Sequence, residues 1–209
     1  VARKRVGILI FPEVEVLDFC GPFEVFSITR LNEEKRREEP SPFDVVLVAQ
    51  TLDPVEAAGG LRVLPQYTFD TCPKLDILVA PGGYGTRLQV RNEALIGWIG
   101  RAASQAELVT SVCTGSLLLA KAGLLDGVRA TTHWRVLGEM RSFFPQVEVV
   151  DDEHVVEQGR ILTSAGVSAG IDMALRVVKR CFGETIARAA ARQMEYPYSE
   201  SNERRITIE

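Results

Sequence analysis

Leu108-Val109-Thr110-Ser111-Val112-Cys113-Thr114-Gly115-Ser116-Leu117-Leu118-Leu119-Ala120-Lys121-Ala122-Gly123 is the stretch whose reading decides the fold. Its first five residues are a short apolar run rich in β-branched side chains, the pattern of a buried strand. From Thr114 onward the pattern is helical, and Lys121-Ala122-Gly123 supplies a basic last turn and a glycine stop. Cys113 falls between the two, on a strand-to-helix turn. Such a turn lifts a side chain at the carboxyl edge of a sheet, beside free backbone N–H groups and the positive end of a helix dipole. That setting favours a thiolate and supplies donors for an oxyanion. An ordinary thiol of pKa about 8.5 is only ~3% ionised at pH 7, whereas a pKa lowered by ~3 units makes it almost fully thiolate. Cys113 is therefore read as a nucleophile on an elbow, against the alternative of a small apolar core residue.

Working outward, Val6–Phe11, Phe43–Val48 and Ile77–Ala80 are further short apolar runs bounded by Pro, Gly or Asp, and they read as buried parallel strands. Helical patterns alternate with them over Pro22–Arg30, with Pro22 suited to a first turn, and over Asn92–Ser104. This alternation predicts an α/β fold with a mostly parallel sheet covered on both faces. Val55–Leu64, around Gly59-Gly60, reads as a small hairpin, and Val147–Val150, Val155–Glu157 and Ile161–Ser164 as additional strands. An amphipathic helix is expected from about Ser168 to Cys181, stopped by Gly183. Residues 1–198 form a single domain in this reading. The polar tail 199–209 is expected to be loosely held or docked on a partner subunit.

The chain has 209 residues, 46% of them hydrophobic, enough for one full core. A formal net charge of -4 gives no basic footprint for nucleic acid or an anionic membrane. The cluster Lys35-Arg36-Arg37 is flanked by glutamates and reads as a solvated loop. No apolar stretch is long enough for a signal core or a bilayer span. The four cysteines lack CxxC spacing, so neither a zinc site nor a disulfide framework is expected, and a reducing cytoplasm fits.

In open α/β sheets ligands gather beyond the carboxyl ends of the strands. Pro81-Gly82-Gly83-Tyr84-Gly85 follows one strand, and its glycines let backbone N–H groups approach a ligand. Gly83 N–H and Thr114 N–H are the expected oxyanion donors, with Gly82 in support; taken alone, Pro-Gly-Gly reads as an ordinary turn. After the first strand, Leu17-Asp18-Phe19-Cys20-Gly21-Pro22 delivers a carboxylate into an apolar neighbourhood just before a helix. Burial would raise its pKa into a useful range, making Asp18 the candidate acid/base, or else a helix cap. His133, in Thr132-His133-Trp134, is the one candidate catalytic imidazole and could equally be structural. His154 reads as solvated, Asp172 as a cap or pairing partner, and Ser168 and Gly166 as pocket lining. No metal or organic cofactor is expected.

The elbow Ser111-Val112-Cys113-Thr114-Gly115, the Pro81-Gly82-Gly83 loop, Leu17–Pro22, Thr132-His133-Trp134 and Thr163–Asp172 together resemble the ThiJ/PfpI superfamily. Within it the pattern is similar to the isocyanide hydratase branch and to the ligand-binding-like domains of certain AraC-type regulators. The resemblance implies a flavodoxin-like three-layer sandwich, a homodimer and a cysteine nucleophile. It departs from the intracellular-protease branch, which has histidine where this chain has Thr114, and from the deglycase branch, which has glutamate in place of Asp18. The chain leaves no room after Pro197 for a helix-turn-helix, so a stand-alone enzyme is expected. The implied activity is cysteine-dependent hydration of an isocyanide, a small-molecule substrate, to an N-substituted formamide. The alternatives are a cysteine redox sensor, a small-molecule-binding regulatory module, or another thiol-dependent hydrolase or amidase.

Overall fold

The computed structural model describes residues 2–208. Seven strands make one sheet: β1 (Lys4–Leu9), β2 (Phe43–Ala49), β3 (Tyr67–Thr68), β4 (Ile77–Ala80), β5 (Leu108–Val112), β6 (Val155–Gln158) and β7 (Ile161–Ser164). Their order is β6-β7-β5-β4-β1-β2-β3, and every neighbouring pair is parallel except β6–β7. The central strands are buried along their whole length, which is why they read as continuous apolar runs without alternation. Two short ribbons stand apart, Val55–Glu56 with Arg62–Val63 around Gly59-Gly60, and Arg129–Ala130 with Glu148–Val149.

Helices α1 (Val16–Ile28), α2 (Thr86–Gln89), α3 (Glu93–Gln105), α4 (Gly115–Lys121), α5 (Leu137–Phe143), α6 (Ala169–Phe182) and α7 (Glu184–Gln193) complete the molecule. α1, α6 and α7 pack together on one face of the sheet, and α3 with α4 on the other. Asn92 caps α3 by accepting the Leu95 N–H at 3.2 Å. α1 begins six residues earlier than the proline rule predicts. Pro22 sits inside it and leaves the Asp18 carbonyl without its usual intrahelical donor. α5, α7 and the two-residue β3 have no counterpart in the sequence reading.

The winding reverses between β1 and β4, neighbours in space whose chain runs first to β2 and then back across. The loops leaving β1, β4 and β5 therefore meet at one crevice, the place where an open α/β sheet holds a ligand. Close approach of backbone makes the meeting possible. A Cβ on Gly115 would run into the carbonyl of Ala80, and one on Gly170 would lie 2.9 Å from both γ-carbons of Val112. The tail, expected to be loosely held or placed on a partner, is pinned to its own chain. Asn202 Nδ2 donates to Glu153 Oε2 at 2.8 Å and to the Val155 carbonyl at 3.0 Å, and its Oδ1 accepts the Val155 N–H at 3.1 Å. Unpaired main-chain groups at the β6 edge are what it satisfies.

Gly115→Ala is expected to cost about 3 kcal/mol or more, because the obstacle is main chain and cannot rotate away. Gly100→Ala, in the half-buried middle of α3 with open space around it, is expected to gain about 0.5–1 kcal/mol. Denaturant midpoints of the two variants against the parent check both.

Candidate active site

Cys113 has φ 56, in the left-handed region, between the last residue of β5 and the first turn of α4. That conformation costs a non-glycine residue about 1–3 kcal/mol and persists only where the surroundings enforce it. Here they do. Its N–H donates to the carbonyls of Ala165 at 2.9 Å and Ser164 at 3.2 Å. Its own carbonyl accepts the hydroxyls of Ser116 and Thr132, both at 3.1 Å. With its main chain held on both sides, Cys113 points its side chain into the crevice and is 6% exposed.

Asp18 lies in the first turn of α1 and is fully buried. Its Oδ2 accepts the Gly82 N–H at 2.9 Å, while Oδ1 receives no hydrogen bond from a protein group. Burial pushes the carboxyl up to about 8, against the pull of the Gly82 amide, and the Glu15 charge adds to the rise. The Cys113 thiol beside it weakly favours the charged form. For Cys113 itself, burial pushes the thiol up to about 12, and a charge on Asp18 pushes the same way. The N–H groups of Thr114 and Val167 and the Thr114 hydroxyl favour the thiolate without prevailing. Burial thus works against the thiolate that donors at the helix start favour.

Gly83 does not face the reacting atoms as expected. At φ 125 its N–H turns to Thr114 Oγ1 at 3.0 Å, and its carbonyl accepts the Thr86 hydroxyl at 2.8 Å. It braces Thr114, while Gly82 holds Asp18. A Cβ on either glycine would collide with backbone, of Thr114 for Gly82 and of residues 13–15 for Gly83. The N–H of Thr114 and that of Val167 both favour the thiolate form of Cys113, and sequence reasoning missed Val167. Its φ of 44 is unexpected for a β-branched residue, and the only signal was its place in the Ser164-Ala165-Gly166-Val167 run.

His133 caps a short 3-10 turn, with Nδ1 accepting the Arg135 N–H at 3.3 Å. Burial lowers its pKa, and Arg135, Arg204 and Arg87 lower it further, so the ring is neutral at pH 7. Its ring lies against Gly166. Ser168 is exposed at the start of α6. His154, read as solvated, is buried, and its Nε2 lies 3.0 Å from Asp172 Oδ2. Asp172 also accepts Tyr196 Oη at 2.9 Å and Arg205 at 2.9 Å. Burial pushes the Asp172 carboxyl up, but these hydrogen bonds and the arginine charge hold it below its ordinary value. Among the described residues no three His, Cys, Asp or Glu side chains converge as metal ligands, and no helix is long and apolar enough to cross a membrane.

A strained cysteine on a strand-to-helix turn, with a buried carboxyl in the first turn of α1, agrees with the result of comparison with known proteins. The DJ-1/PfpI family model matches residues 4–180. The chain belongs to the DJ-1/PfpI family. It is 37% identical over 193 residues to an isonitrile hydratase of Pseudomonas putida, covering 92% of this chain and 78% of that one. It is 33% identical over 142 residues to the transcriptional regulator GbdR of Pseudomonas aeruginosa, 68% of this chain but 38% of the regulator. A crystal structure of a ThiJ/PfpI family protein from Pseudomonas syringae superposes with a TM-score of 0.82 at 32% identity, over 96% of this chain and 78% of the other. The fold of this DJ-1/PfpI chain is thus the flavodoxin-like sandwich that the family resemblance implied.

Folding raises the Asp18 pKa from 3.8 to about 8. The folded state therefore holds a proton that the unfolded chain has lost, and this contribution disappears as pH rises from about 4 through 8. Asp18→Asn, which carries no charge, is expected to exceed the parent in stability at pH 8.5 by up to about 5 kcal/mol. The gap should close toward pH 4, as thermal melts across that range would show.

Proposed function

We propose that this protein hydrates isocyanides, also called isonitriles, to N-substituted formamides through Cys113. The observation that carries this reading is the buried pair of Cys113 and Asp18, whose protons can be exchanged out of contact with bulk water. The identity to a hydratase over most of the chain supports it. An isocyanide offers a terminal carbon that must gain both a nucleophile and a proton. A sulfur next to a carboxyl can deliver both.

In this reading the ionised Asp18 takes the thiol proton as Cys113 Sγ attacks the terminal carbon. The new S–C bond forms, and Asp18 returns that proton to the same carbon, leaving the thioimidate R–N=CH–S–Cys113. Asp18 then orients a water at its free Oδ1 and takes its proton as the oxygen adds to the carbon. A proton passes to nitrogen, the C–S bond breaks, and the thiol recovers its proton as R–NH–CHO leaves. Summed, one isocyanide and one water give one formamide. The amides of Thr114 and Val167 stabilise the negative charge on sulfur at the start and at the end. Gly82 keeps the carboxyl in place, and Ser116 and Thr132 keep the elbow in its strained conformation.

A regulatory module that binds a metabolite at the same crevice is the second reading, favoured by the match to GbdR. Formamide production from cyclohexyl isocyanide separates the two. Turnover by the parent but not by Cys113→Ala supports hydration. A folded, reduced parent that makes no formamide, yet is stabilised by a metabolite as well in the alanine variant, supports binding. Asp18→Asn is expected to lower kcat by at least about 100-fold, the usual scale of acid/base catalysis. Because Asp18 must be ionised to accept the thiol proton, kcat/KM of the parent should rise with pH through about 8. A flat profile from pH 6 to 9 would contradict that role.

A further inference from the structure

We propose that the segment Arg204–Ile206 is the outer wall of the substrate pocket, and that Ile206 sets the size of the organic substituent an isocyanide may carry. The proposal rests on the hydratase reading above. A cavity of about 170 Å³ is walled by His133, Trp134, Gly166, Val167, Arg204 and Ile206, among others. Ala165 ties this cavity to the elbow, because it lines the cavity and its carbonyl accepts the Cys113 N–H at 2.9 Å. A larger recess of about 750 Å³ runs between α6 and residues 198–202, but none of residues 165–168, the segment that holds the Cys113 amide, lines it.

The reacting end of an isocyanide is a linear N≡C unit, so the substituent must extend away from Cys113, and on the Val167 side this cavity is the space open to it. Its volume is close to that of a protein cavity of about 150 Å³ that takes up benzene, so a single six-membered ring is the matching size. Its walls suit an apolar group: the Trp134 ring, the Val167 side chain and Ile206, beside a neutral His133.

The wall is fixed by its own contacts. Arg204 donates through Nη2 to Thr131 Oγ1 at 2.6 Å and to the Thr132 carbonyl at 3.2 Å, and through Nε to the Asp151 carbonyl at 2.7 Å. Thr132 is the residue whose hydroxyl braces the Cys113 carbonyl. Arg205 is held by Asp172 Oδ1 at 2.9 Å and Tyr196 Oη at 3.2 Å. Two anchored arginines thus hold Ile206 over the cavity. Ile206 itself is 49% exposed, so its replacement leaves the core intact.

The test compares the parent with Ile206→Trp and Ile206→Ala, using ethyl, cyclohexyl and 2-naphthyl isocyanide. Ile206→Trp is expected to lose about 10-fold or more in kcat/KM for cyclohexyl isocyanide while staying near the parent for ethyl, the range over which an apolar pocket discriminates by size. Ile206→Ala is expected to gain on the naphthyl substrate. A readout independent of turnover is the rate of Cys113 alkylation by iodoacetamide and by its N-phenyl derivative, followed by peptide mass. Ile206→Trp should slow only the phenyl reagent. Turnover with the same size profile in all three proteins overturns the wall. Absence of turnover in the parent, with size-selective alkylation intact, overturns the hydratase reading and leaves the wall standing. Alkylation rates that are equal across the three proteins for both reagents overturn the wall whatever the turnover.

Discussion

Everything at the crevice depends on one backbone torsion, the left-handed conformation of Cys113. A cysteine does not adopt it unaided. β7 supplies the acceptors for its amide, and α4 and the 130–132 segment supply the donors for its carbonyl. α4 follows Cys113 directly, whereas β7 and the 130–132 segment are distant in the chain, and β7 is brought to the elbow by its pairing with β5. Three of the non-glycine residues with positive φ, Glu13, Cys113 and Val167, lie on loops that converge here. Strain stored at one point is held by hydrogen bonds drawn from three segments.

The same burial that fixes the elbow sets its electrostatics. A helix start is commonly taken as a device that ionises a cysteine. Here the dipole and two amides act on a sulfur from which water is almost excluded, and exclusion is the larger effect. The carboxyl beside it is pushed up to about 8, so that it can take a proton and give it back close to neutrality. Such a pair suits chemistry in which nucleophile and proton must arrive at the same carbon.

Relatives of this chain include an enzyme and transcriptional regulators built on the same sandwich. A fold of this kind does not choose between them, since function resides in the groups at the crevice. The tail adds a further layer: Asn202 completes the β6 edge, Arg204 reaches the segment that braces the elbow, and Arg205 joins the buried cluster of His154, Asp172 and Tyr196. Polar residues that read as a loose end are thereby part of the wall around the site.

Sequence by itself determined the strands, because a strand buried on both faces must be apolar throughout, and it determined the elbow, because a strand run and a helix run meet at Cys113. Asp18 was legible as a lone carboxylate among apolar residues, and Gly82 and Gly83 as places where backbone could approach a ligand. Tertiary structure alone decided that the Gly83 N–H turns to Thr114 Oγ1 and that Val167 holds its left-handed conformation beside the elbow. It also decided that desolvation outweighs the helix dipole at Cys113, that His154 is buried, and that residues 202–206 are docked. Each of these is fixed by partners distant in the chain, and local pattern records a residue's neighbours in sequence, not the groups that folding brings against it.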